Sequence, residues 1–344
     1  MKVIFVGLDI ISASINLQEG HLMKIAVLTS GGDAPGMNAA IRAISRYAIY
    51  KGWDVFGVHR GYQGLLEGDF SRIGLRDVGG IIGAGGTILG SSRSPEFQTP
   101  EGREEALKQL RENRFDVLVI IGGNGTQKGS FSLFQMGFPV IGVASTIDND
   151  LYGSDITIGV DTALNVALEA IDRIKVTASS HGRVFAVEVM GRDCGYIALM
   201  AGIAGGAEVI IIPEIHFDIQ KMISDIQETY KRGKHHAIIV TAEGAHCNAD
   251  ELSRYFLNNR ELSGFELRTT VLGYVQRGAT PNLFDRILAT RLGVAAVEAV
   301  AQKNYGVLVG MHKSEIITTP LETVVSRKKE LDLQLLKTAE ILSK

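Results

Sequence analysis

Two carboxylates stand two residues apart in Ser145-Thr146-Ile147-Asp148-Asn149-Asp150, directly after the apolar run Val140–Val143. A hydroxyl acceptor needs a base within hydrogen-bond reach, and phosphoryl transfer needs a metal, so such a pair can divide those tasks. Asp and Asn also gather in loops for conformational reasons, and by composition alone an Asx turn is the commoner origin of such a stretch. Three glycine-rich joints lie upstream: Ser30 to Asn38, Gly122 to Gly129, and Gly83 to Thr87 leading to Gly90-Ser91-Ser92-Arg93. Glycines between a strand and a helix let backbone N–H groups approach an anion at the helix start. One such loop is equally a tight turn, but three at strand carboxyl ends argue for a polyphosphate site. None has P-loop spacing, and none is a dinucleotide fingerprint.

These loops need a frame. Apolar runs alternating with helical patterns predict an α/β chain with mostly parallel sheets. Strands are expected at Lys24–Thr29, Asp54–Val58, Val117–Ile121, Val140–Val143, Val184–Val189, Val209–Ile212, Ala237–Thr241 and Gly306–Gly310. Helical spacing marks Ala39–Tyr50, Gly102–Arg111, Thr162–Thr177, Ile219–Arg232 and Asp285–Gln302. At 344 residues the chain exceeds one ordinary domain. Two lobes are expected, with a boundary near Gly159 and a return near Tyr274.

Composition narrows the partners. With 35 basic against 38 acidic side chains there is no whole-chain case for nucleic acid or an anionic membrane, so phosphate binding must be local. Cys194 and Cys247 are too few for a disulfide framework or a cysteine-rich zinc site, which fits a reducing cytoplasm. The apolar stretch within residues 1–22 is interrupted by Asp9 and has no small-residue cleavage site, so neither a signal peptide nor a membrane span is expected. Gln18-Glu19-Gly20 before Met23 suggests codons that read as a ribosome-binding sequence, making Met23 the expected start and residues 1–22 an upstream extension.

Four separated motifs, Gly31-Gly32-Asp33-Ala34-Pro35-Gly36-Met37-Asn38, Thr146 to Asp150, Val189-Met190-Gly191-Arg192 and Gly273-Tyr274-Val275-Gln276-Arg277-Gly278, together resemble the phosphofructokinase family in order and spacing. The resemblance covers nearly everything after Met23. It implies two Rossmann-like three-layer lobes, with ATP on residues 23–159 and 275–326, fructose 6-phosphate on 160–274 and 327–344, and the chemistry between them. It implies Asp148 as the base for the sugar 1-hydroxyl, with Thr146 and Asp150 holding that hydroxyl and the metal-bound phosphate. Gly32 is implied beside the transferring group, and Arg93 and Arg192 as charge stabilisers. Tyr62, Gly122, Gly123, Asn124, Gly125, Thr126 and Gly129 are implied at the ATP site. Arg183, Met190, Gly191, Glu243, Arg268, Tyr274 and Arg277 are implied at the sugar phosphate, Arg183 and Arg268 reaching across from a neighbouring subunit of a homotetramer.

Magnesium is implied on Asp150 and Asn124, although the family typically has an aspartate where Asn124 stands. A non-catalytic regulatory paralogue is the alternative which that substitution raises. Gly125 and Ser145 stand where pyrophosphate-dependent relatives usually carry an acidic residue and a lysine, so ATP is the expected donor over pyrophosphate. Tyr274 replaces a histidine common in the sugar site. An effector site for ADP or phosphoenolpyruvate is implied at Arg42, Arg46, Lys175, Glu208, Arg232 and Lys234, with Leu75 where an arginine is often found. Among enzymes the nearest alternative is a pyrophosphate-dependent or other sugar-phosphate kinase, while a lipid or NAD kinase leaves the Thr146–Asp150 and Met190–Arg192 motifs unexplained.

Overall fold

The computed structural model describes residues 22–259 and 264–342. The expected extension up to residue 21, and with it most of the case for a start at Met23, lies outside the described residues, as do 343–344.

Two sheets organise the chain. Strands are numbered in chain order. The larger sheet contains β1 (Lys24–Thr29), β2 (Asp54–Val58), β3 (Phe70–Arg72), β4 (Val117–Gly122), β5 (Val140–Ala144), β10 (Val307–His312) and β11 (Glu315–Pro320), in the spatial order β11-β10-β5-β4-β1-β2-β3. Its neighbours are parallel except β2 with β3 and β10 with β11 at the two edges. The smaller sheet is wholly parallel: β7 (Val209–Ile211), β8 (Ala237–Ala242), β6 (Val184–Val189) and β9 (Leu267–Val271) in that order.

Central strands read as unbroken apolar runs because helices cover both faces. β4, β5 and β8 are buried at every position. The flanking helices are α1 (Met37–Tyr50), α2 (Gly61–Glu67), α3 (Pro100–Glu112), α4 (Asn124–Gln135), α5 (Val160–His181), α6 (Tyr196–Gly205), α7 (Ile219–Lys231), α8 (Ala249–Asn258), α9 (Leu283–Ala301), α10 (Leu321–Ser326) and α11 (Leu333–Leu342). Inside the larger sheet the chain moves one way from β1 to β2 and the other way from β4 to β5. The point of reversal lies between β1 and β4, where open α/β sheets hold their ligands at strand carboxyl ends.

Among the described residues, three strands and six helices have no counterpart in the sequence reading. The missed strands β3, β9 and β11 are all sheet edges with one or both faces wet, so their sequences lack the apolar runs of central strands. The missed helix α4 matters most. The stretch Gly122 to Gly129 was expected to be a glycine loop, yet the helix begins at Asn124 itself. Asn124, Gly125 and Thr126 therefore present a helix first turn.

Candidate active site

The carboxyl ends of β1, β4 and β5 release three adjacent loops from one sheet, and those of β6, β8 and β9 release three more from the other. The six converge. β1 runs into Ser30 to Gly36 and β4 into Gly123. β5 runs into Ser145 to Asp150, β6 into Met190 to Arg192, β8 into Glu243, and β9 into a 3₁₀ turn at Gly273–Gln276 that leads to Arg277.

The phosphate cradle is built from helix ends without side-chain caps. Side chains cap other helices here, Thr99 for α3, Asp218 for α7 and Asn248 for α8. By contrast α1 starts at Gly36 and α4 at Gly123, neither with a side-chain cap. The first-turn N–H groups and dipole end of α4 are left for an anion, whereas in α1 Met37 N donates to Ala34 O and the first turn is buried. Close packing sets the glycines: a Cβ on Gly122 would lie 2.6 Å from both Ser30 O and Thr126 Oγ1, and one on Gly123 would lie 3.2 Å from Thr146 Cβ. A Cβ on Gly125 would meet nothing within 4 Å, so that position faces open space. The third glycine stretch is pinned beneath the first: Thr29 Oγ1 donates to Gly90 O, Asn38 Nδ2 to Ala84 O and Gly85 O, and Ser91 Oγ to Gly31 O at 2.6 Å. It leaves Arg93 exposed beside the cradle.

Asp148 is the buried charge of the site. Its N–H donates to Thr146 Oγ1 at 3.2 Å, and its Oδ1 is buried with no hydrogen-bond partner. Burial pushes the carboxyl up to about 6, helped by Asp150 and opposed by Arg277 and Arg192. The loop is held by side chains: Thr157 Oγ1 donates to Thr146 O at 2.6 Å, and Asn149 Nδ2 to Asp155 O while Asn149 takes a left-handed φ of 51°. Asn124 Nδ2 donates to Asp150 O at 3.3 Å, tying the start of α4 to this loop. Across the cleft, Glu243 Oε1 accepts from Gly191 N and Arg192 N, which holds Arg192 at a φ of 50°.

Arg277 lies against the first glycine loop of its own chain. It is nearly buried, donates from Nη1 to Asp33 O at 3.0 Å, and occupies the space where a Gly32 Cβ would fall. It belongs to the cradle and the Asp148 neighbourhood. Tyr62 and Gly129 also need a changed role. The phenol is buried, donates to Thr126 O at 2.7 Å, and stacks on Phe97 with ring centroids 3.9 Å apart, and a Cβ on Gly129 would strike it. They buttress α4 and offer a ligand little surface.

Arg183 and Arg268 are brought together, but away from Asp148. Both pair with Glu266, Arg183 at 2.8 Å. Arg183 precedes β6, whose six residues at about 3.3 Å each put it on the order of 20 Å from Met190. Tyr274 is 81% exposed at the lip of the cleft. Of the residues implied for an effector, Lys234 pairs with Glu208, Lys175 Nζ donates to Gly205 O at 2.7 Å, and Arg232 Nη2 donates to Thr229 Oγ1. Arg42 and Arg46 lie on α1, apart from that group, and Arg46 donates to Leu75 O at 3.3 Å.

Gln276 was missed as a site residue although it sits inside a quoted motif. It is fully buried, accepts Met190 N at 2.9 Å, and leaves its Nε2 unpaired next to the cleft loops. A glutamine between apolar and basic neighbours was the available signal.

An uncapped helix end beside a buried carboxylate on one sheet, with a second α/β sheet's loops across from them, defines a phosphotransferase of one architecture, and the chain belongs to the phosphofructokinase family, whose pattern it matches over residues 24–300. It is 51% identical over 322 residues to the ATP-dependent 6-phosphofructokinase of Clostridioides difficile strain 630, and 47% identical to that of Listeria monocytogenes serotype 4a, covering 94% of this chain and all of either relative. Among solved structures it is similar to the phosphofructokinase of Saccharomyces cerevisiae, with a TM-score of 0.81 and 38% identity over 93% of this chain and 47% of that one. The chain thus spans about half the yeast chain's length. A pyrophosphate-dependent phosphofructokinase from Marinobacter aquaeolei shares the fold, with a TM-score of 0.82 at 22% identity over 91% of this chain and 86% of that one.

Proposed function

We propose that this chain is an ATP-dependent 6-phosphofructokinase, transferring the γ-phosphoryl group of ATP to the 1-hydroxyl of fructose 6-phosphate. The observation that carries the reading is the unpartnered, buried Oδ1 of Asp148 opposite the uncapped start of α4. A sugar hydroxyl donating to that oxygen would satisfy it, and a carboxylate raised to about 6 is ionised at neutral pH yet basic enough to take the proton. The α4 N-terminus, with Gly32, Gly122, Gly123, Gly125 and Thr126, holds the triphosphate by backbone donors. Arg277 on Gly32, with Arg192 and Arg93, stabilises charge on the group in flight. Thr146 orients the acceptor hydroxyl, and Met190, Gly191, Glu243 and Tyr274 form the sugar wall.

The donor set suits magnesium. No group of three or more His, Cys, Asp or Glu side chains among the described residues could form an all-protein cage, and magnesium usually takes one or two carboxylates plus substrate phosphates and water. Asp150 supplies the carboxylate, and Asn124, whose amide N–H is spent on Asp150 O, has its side-chain oxygen to offer. Held there, such an ion would neutralise charge on the transferring phosphoryl group. Open space in front of Gly125 suits a nucleotide α-phosphate, which favours ATP over pyrophosphate.

Arg183 and Arg268, too far from Asp148 in their own chain, serve a neighbouring subunit of a homotetramer in this reading. Lys175, Glu208, Arg232 and Lys234 would form one half of an ADP or phosphoenolpyruvate site and Arg42 with Arg46 of another subunit the rest. The enzyme is placed in the cytoplasm. No helix among the described residues is long and apolar enough to cross a membrane. The test is Asp148→Ser: turnover falls at least about a hundredfold while the fold and ATP affinity persist. Turnover within a few-fold of the parent would remove Asp148 from this role.

A further inference from the structure

We propose that Asp285 is a positioning residue for phosphoryl transfer, a single carboxylate that fixes the cradle, base and arginine loops relative to one another. The proposal rests on the functional reading above. Asp285 has no exposed surface and lies in the first turn of α9, where its own N–H is capped by Asn282 Oδ1. Its Oδ1 accepts Gly159 N at 2.8 Å, and its Oδ2 accepts Thr162 N at 2.8 Å and Thr162 Oγ1 at 2.6 Å. Helix α5 has no cap of its own, since its capping position is Gly159 at a φ of 104°, and Asp285 provides one from far along the chain. Two positive helix ends therefore meet on one buried carboxylate and offset the loss of its hydration.

Each partner leads to a different part of the site. Gly159 closes the base loop, where Ile158 bridges Ser145 and Thr157 holds Thr146 O. Gly36 closes the cradle loop, and a Cβ there would come within 3.5 Å of Asp285, while one on Gly159 would come within 2.6 Å of Ala34 Cβ. The segment after Arg277 enters α9 through Asn282, whose N–H donates to Thr162 Oγ1 at 3.0 Å. The Thr162 hydroxyl thus gives its proton to Asp285 and accepts from the arginine loop. Reacting groups need sub-ångström placement, and a misplacement of about 1 Å can cost on the order of a hundredfold in rate.

Asp285→Asn sets an amide NH₂ against N–H donors, and Thr162→Val removes only the hydroxyl. We expect both variants to lose kcat, Asp285→Asn by at least about tenfold and Thr162→Val by about threefold or more, with KM for both substrates changed less than the kcat. Thr162→Ser, which keeps the hydroxyl, returns kcat to within about twofold of the parent. Leu288→Ala, a core truncation in the same helix, serves as the control: at a similar fall in Tm it keeps its kcat. Amide hydrogen exchange across residues 146–162 accelerates in Asp285→Asn and not in Leu288→Ala.

Retention of kcat by Asp285→Asn, loss of kcat in Leu288→Ala in proportion to Tm, or a Thr162→Ser variant as impaired as Thr162→Val would each overturn the proposal. Should Asp285→Asn not fold, the valine and serine pair at Thr162 decides. Exchange does not depend on turnover. A parent chain without kinase activity would sink the functional reading, while unchanged exchange in Asp285→Asn would sink the positioning role by itself.

Discussion

Asp148, the base in the proposed reaction, also carries a cost to the fold. Its carboxyl titrates near 6 in the folded chain against 3.8 for a free aspartate, chiefly through burial. Between those values the folded state binds more protons than the unfolded one. Stability attributable to this group is therefore present at low pH and is lost as pH rises through about 6. Asp148→Asn should melt above the parent at pH 7.5 and lose that advantage near pH 4, as read by calorimetry at both values. An unchanged difference at the two pH values would contradict the burial account. The same shift predicts an acid limb near pH 6 in kcat/KM for the free enzyme, above the usual carboxylate range. Neighbouring residues set this titration, so the sequence could name Asp148 but not its proton affinity. Nor could it place Arg277 on Gly32, since a contact between residues so far apart in the chain arises only when the two sheets meet.

Among the elements, the site depends on helix ends deprived of caps. The sequence reading found the glycines but took Gly122 to Gly129 for a loop, because glycine and asparagine are poor helix formers and their local preference is for turns. Tertiary packing overrides that preference: α4 starts immediately after β4, and Gln127 Nε2 donates to Gly122 O at 3.0 Å across the junction. The edge strands were illegible for the opposite reason, their wet faces breaking the apolar runs that marked every central strand. Gly122→Ala tests the close junction. With a Cβ 2.6 Å from the Ser30 carbonyl, it should cost about 1–3 kcal/mol of stability by urea unfolding and weaken ATP binding. A variant as stable as the parent would show that the β4 and β1 loops can part without penalty. Asn124→Asp restores a charge beside Asp150 and should lower the magnesium concentration needed for half-maximal turnover. An unchanged titration would exclude position 124 from the metal site.

For the whole molecule, an α/β chain with mostly parallel sheets was legible from the alternation of strands and helices, with eight of the described strands recognisable as apolar runs. The pairing of Arg183 and Arg268 with one glutamate was not. Arg183 and Arg268 sit with Glu266 at the far end of the smaller sheet, away from Asp148, and the neighbouring subunit proposed for them is implied by the family motifs alone. The most direct test of the account is steady-state formation of fructose 1,6-bisphosphate from fructose 6-phosphate and magnesium, with ATP and pyrophosphate compared as donors. The account predicts turnover with ATP and little or none with pyrophosphate. Turnover with pyrophosphate alone, or binding of ATP and fructose 6-phosphate without turnover from either donor, would contradict it.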